Sequence, residues 1–334
     1  MTTGSVSSAL ALPVLDEALA ERLRARLADV ETALAGHVRS EAGFVTEAAS
    51  HLLAAGGKRV RPLLVLLAAE CGSHPGSPEV ETAACVVELT HLASLYHDDV
   101  MDEALLRRGA DSANARWDNH VAILTGDWLF SKSSELTAEL GADAVRIQAR
   151  TFTQLVEGQI LETVEPTGDA LDHHLRVVAG KTGSLIATSA LYGARFGGAT
   201  AEVEEALAAY GELVGTAFQI SDDILDIASE SEESGKTPGT DLREGVPTLP
   251  VLLVRRAGRD EDARLVELLD GDLSSDHDLA EALELLRAHS AMGEARAYVI
   301  QRAQEAKDLL KVLPDGGVRD ALEAFADLIA TRTA

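Results

Sequence analysis

"EVETAACVVELTHLASLYHDDVMDEALL", residues 79–106, runs without a glycine or proline. Its apolar residues recur every third or fourth position, which is the period of an α-helix and not the alternation of a strand. Similar texture, rich in Ala, Leu, Glu and Arg, covers Leu15–Ala35, Ala201–Tyr210 and Ala280–Val312. β-Branched alternation is nearly absent. These stretches predict an all-α fold with roughly ten or more helices of ordinary length.

The 334-residue chain is long enough for one large domain or two smaller ones, and with 46% of its residues apolar its composition is globular. Lys and Arg number 29 against 55 Asp and Glu, a net charge of −26, which argues against nucleic-acid binding. Two cysteines, Cys71 and Cys85, are too few for a disulfide framework or a cysteine zinc site and fit a reducing cytoplasm. The opening "MTTGSVSSALALPVLDEALA" has no basic residue before Arg22 and does not read as a signal peptide. The longest apolar run, Leu63–Ala69, is far below membrane-spanning length. Turn chemistry marks loops at Cys71–Pro78, Glu165–Asp169 and Arg195–Thr200. The longer stretch Ser229–Thr248 reads as a functional lid. No linker divides residues 1–334, so a single domain is expected.

On a helix, Asp98 and Asp102 share one face, and Asp99 is rotated about 100° from Asp98. "ISDDILDI", residues 220–227, repeats that spacing with Asp222, Asp223 and Asp226. Carboxylate oxygens without cysteine suit Mg²⁺, or Mn²⁺, and such ions complete their coordination with water and substrate phosphate. A solvated acidic helix end is the plainer reading of one such motif. It fails for two, because both are embedded in apolar sequence where close like charges repel unless a cation holds them. Counting back along the first face gives Ser94, His91, Val87 and Ala84; along the second, Gln219, Gly215 and Gly211. Two such stripes would line a cavity with a charged mouth and an apolar shaft, although small residues also serve tight helix packing.

Basic residues cluster in "GGKRVRPLL", residues 56–64, where Lys58, Arg59 and Arg61 precede a proline that opens a helix. A helix start with cations is an anion site, against the alternative of an exposed basic turn. Arg107 and Arg108 follow the first acidic motif; as neighbours on a continuing helix they would point to different phosphates, and their planar forks suit phosphate. Lys181 in "KTGSL" and Lys236 in "GKTPGTD" are weaker signals taken alone. His91 lies on the cavity stripe and is either a phosphate donor or a satisfied buried histidine; His97 lies off it.

Taken together, "GGKRVRP", "HLASLYHDDVMDEALLRRG", "GDWLF", "KTGSL", "FQISDDILDI" and "GKTPGTDLREGVPTLP" resemble the trans-isoprenyl diphosphate synthases, the polyprenyl synthetase family, over about residues 50–255. The resemblance implies a helical fold around a deep central cavity, usually as a homodimer, that transfers an allylic prenyl group to isopentenyl diphosphate. By this resemblance Asp98, Asp99, Asp102, Asp222, Asp223 and Asp226 hold Mg²⁺ on the allylic diphosphate. Lys58, Arg61, His91 and Arg108 match the isopentenyl diphosphate site. Arg107, Lys181, Thr182, Gln219 and Lys236 match groups around the allylic diphosphate, and Asp98, Asp102, Arg107, Lys181 and Asp222 are the catalytic set. Many members carry lysine where this chain has Val246. In the family, bulky residues four and five before the first aspartate close the cavity floor. Here these are Ser94 and Ala93, with Val87 further down, so a long all-trans product, heptaprenyl to decaprenyl, is expected.

Three other readings compete. A class I terpene cyclase would have no use for "GGKRVRP". A non-catalytic partner subunit would usually lose an aspartate motif. A helical scaffold leaves the charged clusters unexplained. A shorter-chain synthase, making farnesyl or geranylgeranyl diphosphate, is the alternative product. Contact with a membrane would be peripheral at most, since no basic amphipathic helix stands out.

Overall fold

A computed structural model describes residues 16–229 and 238–332. The first 15 residues, which carry most of the opening stretch read above, and Lys236 lie outside the described residues. In chain order the helices are α1 (Glu17–His37), α2 (Gly43–Ala54), α3 (Val60–Ala69), α4 (Pro78–Met101), α5 (Ala113–Arg116), α6 (Asn119–Glu139), α7 (Ala142–Glu162), α8 (Ala170–Val178), α9 (Ser184–Phe196) and α10 (Ala201–Ala228). They continue as α11 (Thr240–Arg243), α12 (Leu249–Ala257), α13 (Ala263–Leu269), α14 (Asp276–Ala288), α15 (Ser290–Leu309) and α16 (Gly317–Thr331). The fold is all-α. The one sheet among the described residues is a two-residue hairpin, β1 (Leu106–Arg107) with β2 (Ala110–Asp111).

The chain forms two compact units. Among the described residues, the first comprises 16–152, 185–208 and 312–322; the second comprises 153–184, 209–229, 238–311 and 323–332. The first is built on α3 and α4, with α1 against both and α6 along α4. The apolar run at Leu63–Ala69 is buried on every side within α3. A helix apolar all round belongs in a core. No described helix is long and apolar enough to cross a membrane. α4 starts on Pro78 behind Ser77 and is buried on several faces, from Val80 to Tyr96. In the second unit, α12 packs on α15 and α8, and α13 on α14.

Three expectations change. The helix read through Leu106 stops at Met101, because Glu103 takes a left-handed backbone (φ 48°) and the chain turns into the hairpin. The helical texture of Ala280–Val312 breaks at His289, which is extended, accepts a hydrogen bond at Nδ1 from the Ala291 N–H and places Nε2 3.2 Å from Asp262. The Ser229–Thr248 stretch is not wholly a loop: α11 lies within it, and the Gly239 N–H donates to the Asp226 carbonyl at 2.9 Å.

Candidate active site

In the first unit, the turn between α2 and α3 carries the basic motif. Gly56 and Gly57 have φ of 93° and 151°, which favour glycine, and Arg59 itself is left-handed at φ 48°. This bend separates three cations. Lys58 is exposed, Arg61 is half-buried, and Arg59 is buried. The Arg59 guanidinium donates to Glu31 (2.6 Å), Glu88 (3.0 Å), and the Leu53 (3.0 Å) and Gly56 (3.3 Å) carbonyls. Its charge is committed inside the protein.

Arg107 and Arg108 diverge as expected, but by a hairpin and not a helix. Arg107 sits in β1 and reaches back to Asp99 (Nε–Oδ1 2.5 Å) and towards Asp102 (3.7 Å). Arg108 is left-handed (φ 56°), and its side chain donates to the Leu52 and Gly56 carbonyls, in the basic turn. A Cβ on Gly57 would lie 2.8 Å from Arg59 and 2.9 Å from Arg108, so a side chain there would have to displace one of the two guanidiniums. His91 is largely enclosed; burial first, then Arg61, Arg108, Arg59 and Arg107, hold its pKa well below the usual range, so the ring is neutral at pH 7.

Of the first acidic motif, Asp98 is half-buried, Asp99 is buried and Asp102 is exposed. Burial raises the Asp99 pKa, against the opposing pull of Arg107, and its Oδ2 is buried with no hydrogen-bond partner. Below them on α4, Ser94 is half-buried and its hydroxyl donates to the His91 carbonyl at 2.8 Å, whereas Ala93 and Val87 are wholly buried.

In the second unit, "KTG" sits on a π-helical turn, Ala179–Gly183. Such turns are frequent at functional sites. It is made possible by a close crossing: a Cβ on Gly158 would lie 2.5 Å from the Lys181 nitrogen and 2.9 Å from the Gly180 carbonyl carbon. Lys181 pairs with Glu162 (2.7 Å), and the Thr182 hydroxyl donates to Gln219 Oε1 (2.9 Å). The Gln219 amide donates in turn to Asp223 Oδ1 at 3.0 Å. Burial pushes the Asp223 carboxyl up to about 8 despite that bond, with Asp241, Asp222 and Asp226 adding repulsion. Asp226 accepts from the Thr240 and Asp241 N–H groups (3.3 and 3.1 Å), and Asp222 pairs with Arg332 at 2.7 Å. Val246 is half-buried, and its N–H donates to the Asp241 carbonyl.

The sequence reading gave Arg59 no role apart from its neighbours and missed Glu88, His174 and Arg332. Glu88 was detectable as a carboxyl one turn before His91 in apolar surroundings. His174 is buried 3.8 Å from Asp223, and burial lowers its pKa to about 4. Nothing local marks Arg332, which is remote from every motif.

The donor chemistry fits a divalent cation. Both acidic motifs offer only oxygen, and each contains one buried carboxyl: Asp99, whose Oδ2 has no hydrogen-bond partner, and Asp223, which lies among like charges. In neither motif do the three carboxylates close to within 4.8 Å of one another; among the described residues that spacing occurs only at exposed His277 with half-buried Asp278 and Glu281. Open carboxylate sets suit cations that take the rest of their shell from phosphate.

Residues 43–286 match the family described as Polyprenyl synthetase. A nonaprenyl diphosphate synthase of Mycobacterium tuberculosis is 49% identical over 95% of this chain and 95% of its own length. The crystal structure of a geranylgeranyl pyrophosphate synthase from Corynebacterium glutamicum, complexed with calcium and isoprenyl diphosphate, superimposes with a TM-score of 0.87 at 45% identity, covering 95% of this chain and 98% of that one. A decaprenyl diphosphate synthase from Rhodobacter capsulatus gives 0.86 at 34% identity, covering 95% and 99%. The chain therefore belongs to the polyprenyl synthetase family, the trans-isoprenyl diphosphate synthases. It is a transferase of that class.

Proposed function

We propose that this protein condenses an allylic prenyl diphosphate with successive isopentenyl diphosphates, releasing diphosphate each time, to make an all-trans polyprenyl diphosphate of heptaprenyl to decaprenyl length. The observation that carries the reading is the pair of aspartate motifs: in the first, buried Asp99 keeps one carboxylate oxygen without a hydrogen-bond partner, and in the second, Asp223 is buried among the like charges of Asp241, Asp222 and Asp226. The first is accompanied by cations near the surface, Lys58 exposed and Arg61 half-buried.

Asp98, Asp99, Asp102, Asp222, Asp223 and Asp226 would hold Mg²⁺, or Mn²⁺, which when bound neutralises the allylic diphosphate as it leaves. Arg107, Lys181, Thr182 and Gln219 orient that diphosphate, so that the allylic C–O bond ionises in a fixed direction. Lys58, Arg61 and Arg108 hold isopentenyl diphosphate, with neutral His91 as a hydrogen-bond donor. The isopentenyl alkene attacks the allylic carbon; one new C–C bond replaces the C–O bond, and a proton leaves to the released diphosphate. No protein nucleophile is required.

The small Ser94 on the motif face and the likeness to the nonaprenyl synthase support a long product. The chain acts as a single catalytic domain and as a homodimer, for which exposed Ile123, Leu124, Val145 and Phe152 offer an apolar surface. The test is product sizing. Purified protein is incubated with Mg²⁺, isopentenyl diphosphate and farnesyl or geranylgeranyl diphosphate. Products of seven to ten units are expected. Products stopping at three or four units would keep the reaction and overturn the length; no elongation beside an active control enzyme would favour the partner-subunit reading.

A further inference from the structure

The end of α16 is fastened beside the second aspartate motif. Ile329 and Phe325 are buried, and the Ser221 hydroxyl of α10 donates to the Ile329 carbonyl at 3.3 Å. From there Arg332 reaches Asp222 (Nη2–Oδ1 2.7 Å) and lies over the Phe218 ring, 4.8 Å from its centroid. Phe218 and Asp222 are four residues apart on α10, so one side chain spans both along a single face. The other arm of the fork, Nη1, is buried with no hydrogen-bond partner.

The carboxylates of the motif have different companions. Asp223 has the Gln219 amide, and Asp226 has backbone N–H groups from α11. Asp222 has a guanidinium on it, from the last described residue of the chain. A cation arriving at Asp222 competes with that guanidinium for the same oxygen. The idle Nη1 is a buried donor lacking an acceptor, and a diphosphate oxygen is the acceptor that the proposed reaction would bring.

We infer that Arg332 is a further residue of the allylic-diphosphate site: it pairs with Asp222, yields that carboxylate to an arriving divalent cation, and passes its guanidinium to the incoming diphosphate. The exchange is non-covalent: one guanidinium leaves the carboxylate as the metal cation arrives. The inference rests on the proposed substrate class for its diphosphate half, but not for its cation half.

The experiment separates these halves. Mn²⁺ binding to the ligand-free full chain is read from the free-ion electron paramagnetic resonance signal, for wild type, Arg332→Gln, Arg332→Lys and a charge control, Lys307→Gln. Lys307 pairs with Asp327 on the surface. Arg332→Gln is expected to bind Mn²⁺ about fivefold more tightly, the scale of one charged hydrogen-bonded pair, with Lys307→Gln near wild type. The KM for geranylgeranyl diphosphate is expected to rise in Arg332→Gln while the KM for isopentenyl diphosphate holds. Arg332→Lys keeps the charge but loses the fork. It should bind Mn²⁺ like wild type and still show the raised allylic KM. Equal Mn²⁺ affinity in wild type and Arg332→Gln, or an equal gain in Lys307→Gln, would overturn the inference. Unchanged allylic KM with tighter Mn²⁺ would overturn the diphosphate half. The Mn²⁺ measurement needs no turnover, so it judges the exchange even if elongation itself fails.

Discussion

At the scale of single residues, the site is set by how buried charge is compensated. Arg59 and Glu88 are both almost fully enclosed and pair with each other at depth. Glu88→Gln leaves a buried guanidinium with only the partly exposed Glu31 opposite, and should cost about 2–4 kcal/mol of stability. Glu31→Gln, at the wetter end, should cost under about 1 kcal/mol. Urea unfolding of the two variants checks this; equal costs would mean the buried pair is not the strut. His91 makes the complementary case. Its pKa in the fold lies below that of the unfolded chain, so the unfolded state takes up its proton first as pH falls. The stability it contributes is complete above about pH 6.5 and declines below it, by at most about 1.4 kcal/mol per pH unit. Wild type should therefore lose more stability than His91→Gln between pH 7.5 and 5.5, measured as urea midpoints. Parallel losses would place the acid sensitivity elsewhere.

At the scale of elements, helix breaks do the positioning, and these were the least legible features. The periodicity of residues 79–106 predicts a helix, and α4 is that helix. Its end, however, is fixed by a left-handed Glu103 and by Arg107 folding back onto Asp99, neither of which has a local signal in a run of good helix formers. The aspartates were readable because their chemistry lies in side-chain type and spacing. Arg332 was not, because its partner is 110 residues away. The π-helical turn at Ala179–Gly183 shows the same division: "KTGSL" displays Lys181 and Thr182, but the turn packs against a glycine in α7. Gly158→Ala drives a Cβ into the backbone at Lys181 and should cost about 1–3 kcal/mol, with a raised KM for the allylic substrate. Around Gly293, exposed within α15, a Cβ would meet nothing within 4 Å, so Gly293→Ala should instead stabilise by about 0.5–1 kcal/mol. Thermal melts that move the same way in both variants would refute the crossing as the cause.

At the scale of the whole molecule, the growing product is itself a burial problem. Each methylene kept from water is worth about 0.8 kcal/mol, so the tail stays in protein as long as an apolar path continues, and product length records where that path ends. The family resemblance places the floor on Ala93, Ser94 and Val87 together, but they do not have equal access. Ala93 and Val87 are wholly buried, and the Ala93 carbonyl lies 3.1 Å from where a Cβ on Gly126 of α6 would stand. A bulky side chain at Ala93 must therefore overpack the core before it can meet a prenyl tail, whereas Ser94, on the aspartate side of α4, is only half-buried. Ser94→Phe should shorten the product by one or more isoprene units with little change in melting temperature. Ala93→Phe should lower the melting temperature, at a cost of about 1–3 kcal/mol, whatever it does to length. The two variants are compared by chromatography of the dephosphorylated products alongside a thermal melt. If Ala93→Phe shortened the product at unchanged stability while Ser94→Phe left it alone, the tail would run past Ala93, and the packing of α4 on α6 would have to open to let it through.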